Sequence, residues 1–143
     1  MIQAQASPAD AVRSLFQTER YPGVVSVYLF GSHIRGTAHR ESDVDVGVLL
    51  AYRRYPRRAE RSDLIVPLNT DIIGATHCND VDVVILNDAP PELAATIVTS
   101  GQRLYCADEQ ADQDFVRTAR LLYADIQPFL ERTRRLMLDV LKR

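Results

Sequence analysis

Apolar positions along the chain alternate between extended and helical patterns. Ser7-Pro8-Ala9-Asp10 predicts a helix start, with Ser as N-cap, Pro at the first helical position and an acid closing the capping box. Val12, Leu15 and Phe16 supply one apolar stripe, and Tyr21-Pro22-Gly23 stops the helix. The β-branched and aromatic run from Val24 to Phe30 predicts a buried strand that ends at Gly31-Ser32. A polar connection leads to Ser42, and a second strand runs from Asp43 to Leu50. From about Arg58 to Gly74 the pattern is helical, with Pro67 arguing against one continuous helix. Asp80 to Leu86 predicts a third strand, apolar enough to be central. Pro91 to Ser100 suits a helix ending at Gly101, and Arg103 to Cys106 is short enough for an edge strand. Residues from about 109 to 143 look helical, interrupted by Pro128. Strands alternating with helices predict an α/β domain built on a sheet of about four strands.

Composition narrows the class. The 143 residues, 46% hydrophobic and 25% charged, fit one globular domain spanning 1–143. Seventeen basic against nineteen acidic residues leave a net charge of −2. That balance argues against a nucleic-acid coat protein or a polybasic membrane binder. No run approaches the roughly 18 apolar residues of a membrane span. The N-terminus lacks the basic and apolar regions of a secretory signal. Cys78 and Cys106 match no metal or redox spacing, which predicts reduced thiols in a cytoplasmic protein.

The chemistry concentrates in the segment from Gly31 to Asp45. A strand running into Gly31-Ser32 at a tight turn offers bare backbone N–H groups and a hydroxyl to an anion. Asp43 and Asp45 follow, and side-chain alternation sends both carboxylates to one side while Val44 and Val46 enter the core. Two like charges so close repel each other. A hard divalent cation removes that repulsion, and Mg²⁺ binds through a few carboxylates plus substrate phosphates. Asp82 lies within an otherwise apolar strand, where an acid is out of place unless it faces the same site. Asp80 competes with it but falls in the entering turn. A phosphate cradle with three carboxylates describes a two-metal phosphoryl or nucleotidyl transfer centre.

Gly31-Ser32, ten residues, Asp43-x-Asp45 and then a strand Asp resemble the nucleotidyltransferase superfamily of DNA polymerase β. Arg35-Gly36 and Ser42-Asp43 are similar to its minimal nucleotidyltransferase branch, often the antitoxin halves of two-gene modules whose toxin is a HEPN-domain ribonuclease. The resemblance covers over half of the chain, a catalytic core of about residues 24–106, with C-terminal helices at about 109–143. It implies a nucleotidyltransferase fold of the α/β (α+β) class, with a small mixed sheet flanked by helices. It implies that Gly31 and Ser32 hold the triphosphate of ATP, with Ser42 beside the nucleotide and Arg35 either at the phosphates or in solvent. Asp43, Asp45 and Asp82 would ligate two Mg²⁺ ions, Asp82 also aligning or deprotonating the attacking hydroxyl. Attack then falls on the α-phosphorus and pyrophosphate leaves. The implied function is transfer of AMP to a hydroxyl, a tyrosine, of a cognate HEPN toxin, without direct nucleic-acid or membrane binding. Two other readings stay open: neutralisation of the partner by contact alone, and adenylylation of a small molecule of the aminoglycoside type. Three clustered acids favour catalysis over contact, and the absence of a second domain counts against a nucleic-acid or antibiotic acceptor.

Other features carry weaker signals. Arg53, Arg54, Arg57, Arg58 and Arg61 either steer a nucleotide or acidic partner or form a solvated loop. His33, His39 and His77 lack ligand spacing, with only His33 close enough in sequence to reach a nucleotide. Near the C-terminus, Phe115, Ala119, Leu122, Ile126, Phe129, Leu136 and Val140 recur at spacings of three and four or their sums. Up to Gln127 this helix is expected to pack on its own sheet. Beyond Pro128, apolar residues alternate with Arg132, Arg134, Arg135, Lys142 and Arg143. That end either docks on an acidic toxin or a second copy of the chain, or completes the domain's own core.

Overall fold

The computed structural model describes residues 7–31 and 44–142. Helix α1 (Pro8–Gln17) starts as its sequence dictates, the Ser7 side chain accepting the Asp10 N–H at 3.2 Å. It ends before Tyr21-Pro22-Gly23, at Thr18 and a left-handed Glu19 (φ 60°). Strands β1 (Val24–Phe30) and β2 (Val44–Leu50) follow, then helices α2 (Arg58–Ser62) and α3 (Ile65–Thr76). The break between these helices falls at Asp63-Leu64. Pro67 sits in the first turn of α3, where its missing N–H costs no intrahelical bond. His77 closes α3 in the left-handed conformation, its N–H on the Ile73 carbonyl. Strand β3 (Val81–Ile85), a 3-10 turn (Leu86–Asp88), α4 (Pro91–Ser100), β4 (Gln102–Cys106) and α5 (Glu109–Leu141) complete the domain.

The sheet is mixed, in the order β3-β2-β1-β4, with β2 and β3 parallel and the other two pairs antiparallel. Strand β4 is the edge strand its length predicted. Strand β3 is the opposite edge and not a central strand. Its apolar character comes from the layers on its two faces, Val81 and Val83 on the α3 side and Val84 on the other, so burial imitates a strand paired on both sides. One core layer joins Val12 and Phe16 of α1, and Leu68 and Ile72 of α3, to Val27, Val46 and Val48. The other joins Ile97 and Val98 of α4 and Ala119 of α5 to Val25, Tyr28 and Leu49.

Polar groups lock these layers. The buried Asp112 carboxylate accepts from the Tyr28 hydroxyl at 2.7 Å and from Arg103 at 3.0 Å, fixing α5 to two strands. Burial and the bond to Asp112 raise the Tyr28 phenol well above its ordinary range. The Tyr21 phenol donates to Asp71, and burial together with that bond pushes its pKa up to about 12 from 10.0. A phenol that ionises later in the folded than in the unfolded chain stabilises fully below pH 10 and loses that contribution as pH rises towards 12. Chemical denaturation is therefore expected to show stability falling across that interval, with a shallower fall in Tyr21→Phe. An equally steep fall in the variant would remove Tyr21 as a source.

Helix α5 continues through Pro128 as one helix, so of the kink or restart expected there the restart does not occur. Proline deprives the Ala124 carbonyl of its helical donor, but Ala124 and Pro128 are both exposed, so water supplies one. The first half of α5 packs on the sheet and α4 as expected. Residues 131 to 142 are all exposed, which overturns the reading in which this segment completes the core. Among the described residues, no helix is long and apolar enough to cross a membrane.

Candidate active site

The site forms where β1 ends and β2 begins. Phe30 is the antiparallel partner of Asp45, and Asp45 is the parallel partner of Asp82. Residues in register on neighbouring strands share a face, so the two carboxylates stand side by side on strands about 4.8 Å apart. Val44 and Val46 are fully buried on the other face, as the alternation of the strand demands. Asp45 is half-buried and Asp82 is exposed at the sheet edge. The pair therefore has one deeper and one solvent-facing member. Asp80 lies in the turn entering β3, and its carbonyl accepts the Val44 N–H at 2.8 Å.

Gly31 completes the described part of the site. It has φ +85°, a left-handed conformation that favours glycine, and a Cβ added there would collide with the Asp45 carboxylate. Bare backbone thus lies directly against a metal-type ligand. Hard oxygen donors are what a divalent cation carrying phosphates requires, so Asp45 and Asp82 fit a metal ion, and the missing side chain at Gly31 leaves room for the Asp45 carboxylate. Ser32, Arg35, Ser42 and Asp43, with His33 and His39, lie outside the described residues.

A second acidic group, Cys106, Glu109 and Asp112, gathers ligand atoms within 4.8 Å. Arg103 already neutralises it, bonding Glu109 at 2.8 and 2.9 Å and Asp112 at 3.0 Å. Its guanidinium is held above the usual value chiefly by Glu109, and burial pushes the Cys106 thiol up. This cluster is a structural clasp, and no spacing in the sequence announces it. Cys78 and Cys106 are both free thiols, as expected.

The basic stretch lies far from the carboxylates. It follows Leu50, the opposite end of β2 from Asp45, on the order of 15–25 Å away at strand rise. Steering of a nucleotide into the site by these arginines is not what the fold supports. Arg61 leaves the group altogether: it is buried, pairs with Asp88 at 2.8 Å, donates to the Tyr55 carbonyl and stacks on Tyr52. A cavity of about 560 Å³ also opens at that end, lined by Leu49, Arg53, Leu86, Phe115 and Leu122 among others. It is separate from the carboxylate pair.

The family model for polymerase beta nucleotidyltransferases matches residues 12–110, spanning every strand and the carboxylate pair. The chain belongs to the polymerase β nucleotidyltransferase family. Within that family it is similar to the protein adenylyltransferase MntA of Shewanella oneidensis, 32% identical over 109 residues that cover 76% of this chain and 73% of the relative. Two solved structures share the nucleotidyltransferase fold along nearly the whole chain. A toxin–antitoxin complex with AMP-PNP is 28% identical with a TM-score of 0.67, covering 94% of this chain and 98% of that one. A mutant MntA–HepT toxin–antitoxin complex is 27% identical with a TM-score of 0.69, covering 94% and 97%.

Proposed function

We propose that this nucleotidyltransferase is the antitoxin of a HEPN toxin pair and transfers AMP from ATP to a tyrosine hydroxyl of that toxin, in the cytoplasm. The observation that carries the reading is the in-register pair Asp45 and Asp82 with the Gly31 backbone pressed against Asp45. The similarity to an adenylyltransferase and to a complex containing an ATP analogue supports it. Asp45 and Asp82, with Asp43, would hold two Mg²⁺ ions, which supply charge neutralisation at the phosphates. Gly31 and Ser32 receive the triphosphate, and Arg35 and Ser42 stand beside it in the same reading. Asp45, the half-buried member, fixes the α-phosphate end of the site. Asp82, at the open edge, meets the incoming hydroxyl, aligns it and takes its proton. The hydroxyl oxygen bonds to the α-phosphorus as the bond to pyrophosphate breaks, so alignment and electrostatics carry the catalysis.

Incubation with ATP, Mg²⁺ and the cognate toxin, followed by intact mass, is expected to show whole AMP units added to the toxin. An unmodified toxin held in a tight, neutralised complex would establish contact alone as the mechanism. Modification of an aminoglycoside with none of the toxin would place the acceptor among small molecules.

A further inference from the structure

Helix α5 carries two apolar stripes, and its own domain covers only one. Val116 and Ala119 pack in the layer with the sheet and α4, Tyr123, Ile126 and Leu130 are half-buried further along, and the ion pair of Arg134 with Glu92, 2.8 Å long, ties the helix to α4. On the flank that opens towards the groove at Phe115 lie Leu122, Phe129, Leu136 and Val140, with exposures of 48, 66, 63 and 67%. Phe129, Thr133, Leu136 and Val140 follow one another at spacings of four, three and four, a heptad seam. A monomer rarely exposes so continuous an apolar surface.

The charges beside the seam identify its occupant. Arg134 is engaged by Glu92, and Arg135 and Lys142 project more than about 120° away from the seam at 3.6 residues per turn. These basic residues therefore do not frame the stripe for an acidic partner. Arg132 and Asp139 do frame it, one heptad apart, on the same side and of opposite sign. Such a pattern is complementary to itself when reversed. We infer that this stripe is the interface between two copies of the chain, their α5 helices antiparallel about a two-fold axis near residues 134 and 135. In that register Phe129 meets Val140 of the second copy and Thr133 meets its Leu136. Arg132 then stands opposite Asp139 twice, once on each side of the axis. The apolar layers hold the pair together and the charges set its register. The inference goes beyond nucleotide transfer and does not depend on it.

Sedimentation of the chain alone over a wide concentration range tests it. The wild type is expected to pass from monomer to dimer, and Leu136→Lys to remain monomeric with an unchanged far-UV spectrum and, at dilutions where the wild type is also monomeric, an unchanged Tm, because the side chain is exposed. Arg132→Asp and Asp139→Arg are each expected to weaken the dimer by about tenfold or more, as like charges meet on both sides of the axis. The double exchange is expected to restore it. A wild type that stays monomeric throughout overturns the inference, including the case where Leu136→Lys instead loses its toxin. A double exchange no stronger than the single variants overturns the antiparallel register.

Discussion

Asp45→Asn is expected to lower nucleotide transfer by at least about a hundredfold, the loss seen when charge stabilisation at a reacting phosphate is removed. The fold should persist, because β2 pairs with its neighbours through backbone groups and Asn keeps the size and shape of Asp. Asp82→Asn is expected to be comparably damaging, since Asp82 is the register partner of Asp45 and the member open to the acceptor. Asp80→Asn is expected to be mild. Its contribution is the carbonyl that receives the Val44 N–H, and the substitution keeps that carbonyl. Rates measured at saturating ATP and toxin, with far-UV spectra of each variant, check the ranking. Full activity in an Asp45→Asn, Asp82→Asn double variant would remove the pair from the reaction. A severe Asp80→Asn with a mild Asp82→Asn would move the third carboxylate to the turn.

The face that Asp45 occupies was legible in the sequence because strand alternation is a strict rule, whereas its pairing with Asp82 follows from the β2–β3 register that only the fold provides. Once Val44 and Val46 are assigned to the core, Asp45 has only one face left to occupy. The capping signal worked at Ser7-Pro8, where local chemistry sets the helix start; Gly101 ends α4 where expected, but in an extended conformation in which a Cβ would press on the Ile97 and Leu29 carbonyls. Lateral position in the sheet was not legible. Val81, Val83 and Val84 look central, yet β3 borders the sheet, because hydrophobicity records burial in the layers on its two faces, Val81 and Val83 on the α3 side and Val84 on the other, and not the number of paired neighbours. Arg61 misled as part of a basic run. Its partners Asp88 and Tyr52 lie at other points along the chain, and only the fold brings them together. Asp112 was passed over for the same reason, its partners Tyr28 and Arg103 coming from two different strands. Pro128 misled in the other direction, since the helix continues through it at an exposed position where water can bond the freed Ala124 carbonyl.

Gly31→Ala is expected to cost nearly as much activity as losing the carboxylate it touches. Gly31 at φ +85° takes a conformation that an L-residue enters at a cost of about 1–2 kcal/mol, so a modest loss of stability is expected from the backbone alone. The larger effect is at the site. The new methyl group occupies the position of the Asp45 carboxylate, which must then turn away from Asp82 and from any ion the two share. A carboxylate displaced in this way would also disturb the phosphates of a nucleotide held by a shared ion. ATP affinity measured by calorimetry should therefore fall together with the transfer rate. Combining the substitution with Asp45→Asn separates this from unfolding. If Gly31 acts by making room for that carboxylate, the second change adds little to the first, because both remove one shared interaction. If instead the losses multiply while each single variant stays folded, Gly31 serves the phosphates independently of Asp45. Unchanged ATP affinity and rate in Gly31→Ala would mean that the turn yields without disturbing the carboxylate, and that the close approach of backbone to Asp45 has no part in the chemistry.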